Sequence, residues 1–384
     1  MKNLAIDAHN IRSGGGLLYL KKILENADPK KYGFDKVFVW STKETLKDLP
    51  KKNWLIKKNN FFLIQKKKKL IDFSLILRTY WHIFEFKKEA EKNNCNTAFF
   101  PGGINFSGFL KSVIINLNFL PFDNSEIKRF NFSLIYLRLK FLKPILIKSI
   151  ENSKGVILLT SFFQKKLKFI LKKKKKKIIG FGVEKSFFLK RKPSHDIKQF
   201  SKNNPFIIGY ISSIFPYKNH LKLIKIIHYL QTKNHLPIKL VIIGSGYKPT
   251  ENSIKNYLKI HDIKKNKILL YGFVSDKKIK ILYKKKIHLK IFPSSCEAFP
   301  NILLEAGAAG LPILCNKKKF FTEIFRNNIN YFNLNNHNDL KNTIMDMVLK
   351  KKLRKLYSER IQKFVKKFKW TKCSNKTFQF LSTI

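Results

Sequence analysis

Short apolar runs alternate with helical stretches along the chain, and this alternation constrains the fold more than any other feature. In the second half we predict strands at residues 206–211, 239–243, 268–271, 289–292 and 312–315, separated by helices at 219–230, 253–260, 276–284 and 302–309. Runs that are apolar at nearly every position are typical of strands buried on both faces of a parallel sheet. The pattern therefore predicts a doubly wound α/β domain.

The first half shows the same alternation. Strands are predicted at residues 4–8, 37–40, 97–100, 113–117, 156–160 and 178–179, and helices at 17–24, 134–150 and 162–171. The lysine run at 172–177 is predicted to be a solvated loop, because six adjacent ammonium groups cannot be buried without partners.

A chain of 384 residues is too long for one ordinary domain. We predict an N-terminal Rossmann-like domain at residues 1–190, a polar linker at 191–204, a C-terminal Rossmann-like domain at 205–365 and a terminal helix at 366–384. Two doubly wound domains in tandem imply a cleft between the carboxyl ends of their strands, where ligands bind.

The net charge of +55 comes almost entirely from lysine, since only eight of the 79 basic residues are arginine. Proteins that read nucleic acids favour arginine for bidentate contacts to bases and phosphates. We therefore expect no nucleic-acid partner, and binding to nucleic acid through charge alone is kept as an alternative. A positive surface also attracts small anions and anionic lipid headgroups.

Four cysteines stand far apart, at Cys95, Cys296, Cys315 and Cys373. This spacing favours neither a zinc site nor a disulfide framework and is typical of a reducing cytoplasm. The apolar start is interrupted at Asp7, and no run approaches 18 uncharged apolar residues. We expect a cytoplasmic protein without a signal peptide or a membrane-spanning helix.

The segment 292–313 carries the clearest chemical signal. Glu297 lies in a loop after a predicted strand, and Glu305 lies in an apolar helix of small residues. A carboxylate in such a helix is costly unless it is paired or binds a ligand, and it can accept hydrogen bonds from two vicinal hydroxyls. The loop also offers backbone N–H groups at a helix N-terminus. The alternative is that both glutamates are solvent-facing charges.

This segment resembles the E-x7-E signature of glycosyltransferase family 4, whose members have the two-domain GT-B fold. The resemblance implies that Glu305 binds the ribose hydroxyls of a nucleotide-sugar donor and that Glu297 lies against the donor sugar. The backbone from Phe299 and Pro300 through Asn301, Ile302 and Leu303 would then lie along the sugar and the diphosphate.

Other parts of the second half resemble the same family. Lys218 matches the lysine that neutralises the donor diphosphate, whereas Ser213 stands where the family carries arginine. Gly244 and Gly246 match a strand-G-x-G element, and Phe273 and Val274 match a turn near the nucleobase. Trp370 and the helix to Ile384 are similar to the segment that crosses back to the first domain.

The first half is less similar. Gly15 and Gly16, with Gly14, fit the glycine loop that approaches the donor phosphates, although a plain tight turn is the alternative. Asn118 stands where many members have a histidine. Phe181 stands at the histidine position of a second motif of the family. We therefore name no catalytic base. The histidines are predicted to be isolated core or surface residues, and no metal or other cofactor is expected.

The resemblance implies a retaining hexosyltransferase that uses a UDP- or GDP-sugar, with a glycan or lipid-linked acceptor, in cell-surface polysaccharide or lipopolysaccharide biosynthesis. The N-terminal domain would be the acceptor side. The basic and aromatic stretch 51–88 suggests peripheral contact with an anionic membrane, and an ordinary helix is the alternative. A degenerate relative that binds nucleotide sugars without turnover is the second functional hypothesis.

Overall fold

The computed structural model describes residues 2–50, 62–66, 72, 74–189, 200–264 and 267–384. The chain forms two compact units. Unit 1 comprises Met1–Phe122, Phe132–Gly182 and Phe368–Ile384, and unit 2 comprises Asp123–Asn131 and Val183–Lys367. Most of the predicted linker, and residues 51–61, 67–71 and 73 of the predicted membrane-binding stretch, lie outside the described residues.

Thirteen strands and fifteen α-helices are present in the described ranges. The strands are β1 (Lys2–Asp7), β2 (Phe34–Trp40), β3 (Phe62–Lys66), β4 (Cys95–Phe100), β5 (Ser112–Ile115), β6 (Gly155–Leu158), β7 (Lys175–Ile178), β8 (Phe206–Ile211), β9 (Ile238–Ile243), β10 (Ile268–Tyr271), β11 (Leu289–Phe292), β12 (Ile313–Asn316) and β13 (Asn330–Phe332). The helices are α1 (Gly14–Glu25), α2 (Lys43–Asp48), α3 (Leu75–Tyr80), α4 (Phe86–Lys92), α5 (Asn124–Lys128), α6 (Leu134–Glu151), α7 (Ser161–Lys166), α8 (His220–Thr232), α9 (Lys248–Ile260), α10 (Asp276–Lys285), α11 (Asn301–Ala308), α12 (Lys319–Phe325), α13 (His337–Leu349), α14 (Lys351–Val365) and α15 (Trp370–Ser382).

Unit 1 is built on a seven-stranded sheet in the order β3-β2-β1-β4-β5-β6-β7. All its strand pairs are parallel. The central strands are buried almost throughout, which explains why their sequences are apolar runs. Helix α15 packs on α1, where Ser374 Oγ donates to the Ile23 carbonyl at 2.7 Å.

The prediction of a loop for the whole lysine run 172–177 is wrong for its second half. Residues 175–178 form the edge strand β7, which pairs with β6. Its four side chains remain exposed, so an edge position satisfies the backbone while leaving the ammonium groups in water.

Unit 2 is built on a six-stranded parallel sheet in the order β10-β9-β8-β11-β12-β13. The short segment with α5, which the sequence pattern had placed in the N-terminal domain, packs with this unit. Each unit has the doubly wound α/β architecture that the alternation of apolar runs predicts. None of the helices in the described ranges combines the length and apolarity needed to span a bilayer.

The strand order reverses at one point in each sheet, between β1 and β4 in unit 1 and between β8 and β11 in unit 2. The loops that leave two such strands diverge to opposite faces, and the crevice between them is the usual ligand site of an open α/β sheet. These two edges are therefore where functional side chains are expected.

Candidate functional site

The switch point of unit 2 is formed by the loops that follow β8 and β11. After β8 the chain makes a 3₁₀ turn at Pro216–Lys218, and Asn219 adopts a left-handed conformation with φ of 58°. The Asn219 side-chain amide donates to the Pro293 carbonyl at 2.9 Å. The Ser295 backbone N–H donates to the Tyr217 carbonyl at 2.9 Å. These bonds hold the two loops against each other.

Lys218 and Glu297 meet at this edge. The Lys218 ammonium donates to Glu297 Oε1, and the two side chains are only 8% and 15% exposed. The Tyr210 hydroxyl donates to the Lys218 carbonyl at 2.7 Å and fixes the backbone beneath the pair. The pair places an ammonium group, which can bind an anion, beside a carboxylate, which can accept hydrogen bonds from hydroxyls.

Glu305 lies on α11, which is held close to its neighbours by small residues. A Cβ on Gly307 would stand 2.6 Å from Ile361 Cγ1 of α14, so only glycine fits there. Among the described residues, the Glu305 carboxylate has no hydrogen bond or ion pair. Burial, and then the charge of Asp276, raise the pKa of Glu305 to about 8, against the opposing effect of Lys290. Near neutral pH this buried group is therefore largely protonated, and hydrogen bonds from ligand hydroxyls would favour its carboxylate form.

The loop from Phe299 to Leu303 offers less than the sequence suggests. The Asn301 N–H donates to the Phe299 carbonyl at 3.1 Å, and the Leu303 N–H donates to the Pro300 carbonyl at 3.0 Å. The expectation of free N–H groups is therefore wrong at these two positions. Leu303 is also fully buried. The Asn301 side-chain oxygen is buried without a partner, and Ile302 is half-buried.

Gly244 and Gly246 let the loop after β9 pass against the loop after β8. A Cβ on Gly244 would stand 2.1 Å from the Ser212 carbonyl oxygen, and one on Gly246 would stand 2.5 Å from that of Ile214. Close backbone packing therefore requires both glycines. Ser213, which stands in the arginine position, is exposed on this loop.

The loop after β10 places an aromatic ring at the same sheet edge. Phe273 is 87% exposed, and Val274 beside it is half-buried. The Gly244 N–H donates to the carbonyls of Tyr271 and Gly272 at 3.2 Å, so this loop adjoins the glycine loop. An exposed, well-placed phenylalanine is suited to stacking on a planar ligand group.

Gly15 and Gly16 begin α1 in unit 1. A tight turn accounts for Gly14, whose φ is 67°, but not for its neighbours. A Cβ on Gly15 would have nothing within 4 Å, and one on Gly16 would make only ordinary contacts, the nearest at 3.6 Å with Leu117. Packing within unit 1 therefore does not require glycine at 15 and 16.

A cluster at the switch point of unit 1 was missed, and the prediction that His9 and His82 are isolated is wrong. Asp7 Oδ1 lies 2.8 Å from His9 Nδ1, and Asp7 Oδ2 lies 2.5 Å from His82 Nδ1. The Phe106 N–H donates to His82 Nε2 at 2.9 Å. That bond places the His82 proton on Nδ1, where it is donated to Asp7.

These three side chains are close enough to ligate a metal ion, but they are arranged as a hydrogen-bonded cluster. Both nitrogens of His82 are occupied by protein partners. The separations between Asp7 and the two imidazoles are hydrogen-bond distances rather than the spacing of ligands around a zinc ion. His9 follows Asp7 by two residues and could have been noticed. His82 is 75 positions from Asp7, and its contact could not.

Two further cations of unit 2 were also missed. Arg129, next to α5, donates to Asn219 Oδ1 at 2.8 Å and contacts the Pro216 carbonyl. It borders a cavity of about 960 Å³ lined largely by polar side chains. Lys290 is a lysine inside β11 that is fully buried. A charge inside an apolar run was the available signal for Lys290.

Unit 2 is similar in sequence to known glycosyltransferases. Residues 191–364 match the family model "Glycosyl transferases group 1". A segment of 138 residues is 31% identical to an uncharacterised glycosyltransferase of Methanocaldococcus jannaschii, covering 35% of this chain and 37% of that protein. A segment of 150 residues is 27% identical to the capsular polysaccharide biosynthesis glycosyltransferase CapM of Staphylococcus aureus, covering 38% of each. The matches thus span under two fifths of either relative.

The similarity in fold extends over the whole chain. The structure of Anabaena HepE in complex with UDP and glucose superposes with a TM-score of 0.69 over 100% of both chains, at 15% identity. The predicted fold class, two doubly wound Rossmann-like domains of the GT-B type, is thereby confirmed. Residues 191–364 are therefore similar to a group 1 glycosyl transferase domain, and the chain as a whole has the GT-B fold.

Proposed function

We propose that the protein is a retaining glycosyltransferase of family 4 that transfers a hexose-type sugar from a UDP- or GDP-sugar to a glycan or lipid-linked acceptor. The observation that carries the proposal is the Lys218–Glu297 pair at the switch point of a unit that matches group 1 glycosyl transferases. The Glu305 carboxyl group on the neighbouring helix, which has no hydrogen bond or ion pair among the described residues, supports it.

Each group suits one part of a nucleotide-sugar donor. Glu305 would accept hydrogen bonds from the two ribose hydroxyls, and Phe273 would stack on the base. Lys218 would bind the diphosphate, and Glu297 would accept a hydroxyl of the sugar. Lysine then supplies the positive charge that stabilises the leaving group, and we propose that no metal ion is needed.

The reaction breaks the bond between the anomeric carbon and the diphosphate oxygen and forms a bond from that carbon to an acceptor oxygen. The acceptor proton passes to the departing nucleoside diphosphate. Retention of configuration follows from the resemblance to family 4, and this route needs no separate base, in keeping with Asn118 in place of histidine.

Ligand-dependent thermal unfolding tests donor binding. A ligand at 100 times its Kd stabilises the folded state by about 2.7 kcal/mol. We expect UDP or GDP and one of their sugar conjugates to raise the Tm by about 2–4 °C. Glu305→Ala should lose this shift, whereas Glu359→Ala, an exposed glutamate of α14, should keep it. No shift with any nucleotide or nucleotide sugar would overturn the proposal.

We further propose that the acceptor belongs to a surface polysaccharide or lipopolysaccharide. The similarity to CapM, a capsular polysaccharide enzyme by its name, supports this assignment. The polar cavity beside Arg129 and Asn219 is large enough for one or two sugar rings, and it is a candidate for part of the acceptor site.

A location on the inner face of the plasma membrane is proposed from helix α6 of unit 1. Its exposed apolar residues fall within about 80° of the helix circumference; they are Leu134, Leu137, Phe141 and Ile145. The exposed cations Arg138 and Lys140 flank this apolar stripe. An apolar stripe bordered by basic residues is suited to lying in an anionic bilayer surface.

Liposome sedimentation near 150 mM salt tests this contact. We expect binding to vesicles containing phosphatidylglycerol and weaker binding to neutral vesicles. Leu134→Ser with Phe141→Ser should weaken binding by at least about tenfold, because two large apolar groups are lost. Phe169→Ser removes a comparably exposed ring away from the stripe and should have no effect. Equal binding by all three proteins would refute the proposal.

The second candidate function is binding of nucleotide sugars without turnover. The departures at Ser213, Asn118 and Phe181 are the observations that favour it. Such a protein would pass the thermal test but release no nucleoside diphosphate from any donor.

A further inference from the structure

We propose that Lys290 supplies a second positive charge to the donor diphosphate site, in place of the arginine absent at Ser213. This inference rests on the proposed function and deepens it. The position lies inside β11, where every other side chain is apolar, and a lysine there demands a physical explanation.

The Lys290 ammonium is nearly unpartnered. The residue is 0% exposed, and its Nζ donates to the Ile211 carbonyl at 3.1 Å. It makes no other hydrogen bond or ion pair within the described part of the chain. Burying an ammonium group with one of three donors satisfied is costly. A residue that lowers stability in this way is therefore expected to serve a function.

The location of the ammonium connects it to the donor site. Ile211 ends β8, and the exposed Ser213 follows two residues later. Lys290 Nζ lies 5.8 Å from the centroid of the Phe292 ring, and Lys218 Nζ lies 5.5 Å from the centroid of the same ring. The two ammonium groups therefore share one aromatic neighbour at the switch point of unit 2.

Several titratable groups face Lys290 from the elements around it: Tyr210 on β8, Lys218 in the 3₁₀ turn, Glu297 in the loop, Glu305 on α11 and Cys315 on β12. Burial lowers the pKa of Lys290, and Lys218 lowers it further, while Glu305 and Glu297 oppose this change. An incoming diphosphate would add negative charge and so favour the protonated amine.

Lys290 can act on the diphosphate without touching it. Charges enclosed by protein are screened far less than charges in water. A positive charge below the loop after β8 therefore attracts a bound diphosphate through space. Lys290 is a positioning residue in this role, whereas Lys218 makes the direct contact.

Binding of UDP and uridine to Lys290→Met provides the test, with GDP and guanosine as the second pair. The substitution conserves volume and removes the buried charge, so the variant should fold. We expect UDP to bind about 10- to 100-fold more weakly, with uridine changed by less than about twofold. Lys239→Met removes a lysine near the amino end of β9 and should leave both affinities unchanged.

A second substitution tests whether Lys290 takes the place of the missing arginine. Ser213→Arg in the Lys290→Met background should restore most of the lost UDP affinity. Equal losses for UDP and uridine would overturn the inference and show instead that Lys290 only balances Glu305. Unchanged UDP binding by Lys290→Met would also overturn it. If the wild type binds none of the four ligands, the proposed function itself fails.

Discussion

The replacement of Glu305 by glutamine is predicted to stabilise the protein at high pH while abolishing nucleotide binding. Glutamine keeps the shape of the side chain and removes its ionisation. Burial raises the pKa of Glu305 from an ordinary value of 4.5 to about 8. Between these pH values the folded protein holds a proton that the unfolded chain has released, so the contribution of Glu305 to stability falls as the pH rises.

The size of this effect follows from the pKa. A carboxyl with this difference between its folded and unfolded pKa lowers the free energy of unfolding by about 5 kcal/mol above pH 8. Solvent reaches part of the side chain, so screening reduces the expected effect to about 2–3 kcal/mol. Below pH 4.5 Glu305 is protonated in both states and contributes nothing to the pH dependence.

Urea unfolding at pH 4.5 and pH 8.5, followed by far-ultraviolet circular dichroism, measures the difference between wild type and Glu305→Gln. We expect the stability gained by the variant to be larger at pH 8.5 than at pH 4.5 by about 2–3 kcal/mol. Glu359→Gln changes an exposed glutamate and should give the same result at both pH values. If the gain of Glu305→Gln is equal at both pH values, or if the variant is destabilised at pH 8.5, the assigned environment of Glu305 is wrong.

Three further substitutions test the packing and the ion pairs. Asp7→Asn should destabilise unit 1 by about 3 kcal/mol near neutral pH, measured by tryptophan fluorescence during urea unfolding. His9 and His82 hold the pKa of Asp7 well below its ordinary value despite burial, so this difference should begin to shrink as the pH falls below about 4 and disappear only once Asp7 is protonated in the folded protein as well. Gly307→Ala should lower stability by about 1–3 kcal/mol, whereas Gly272→Ala, with nothing near its Cβ, should not; equal effects in urea unfolding would contradict the packing. A double-mutant cycle of Lys218→Met and Glu297→Gln should give a coupling of about 1–3 kcal/mol in urea unfolding, and additive effects would show that the pair is not formed.

Strand positions in unit 2 are predicted well because the strands are buried on both faces. Residues 206–211, 268–271 and 289–292 match β8, β10 and β11 at both ends. Edge strands are harder to predict because solvent accepts lysine on them. For this reason three of the four residues of β7 lie in what was expected to be a loop.

The residues of the candidate site also differ in how well the sequence predicts them. Motif order places Lys218, Glu297 and Glu305 in one unit, but only the structure shows that Lys218 and Glu297 form a pair across 79 positions. The cluster on Asp7 and the contact of Arg129 with Asn219 depend on packing between distant segments. Neither leaves a periodic pattern in the sequence.

Turnover of nucleotide sugars tests the central claim most directly. Release of UDP or GDP would be measured across a panel of UDP- and GDP-sugars, with wild type, Glu297→Ala, Glu305→Ala and the Glu359→Ala control. We predict that wild type and the control consume at least one donor and that both site variants lose at least about 100-fold in kcat/KM. Donor binding without release of nucleotide by the wild type would establish a binding protein instead. Equal turnover in wild type and both site variants would contradict the assignment of the site.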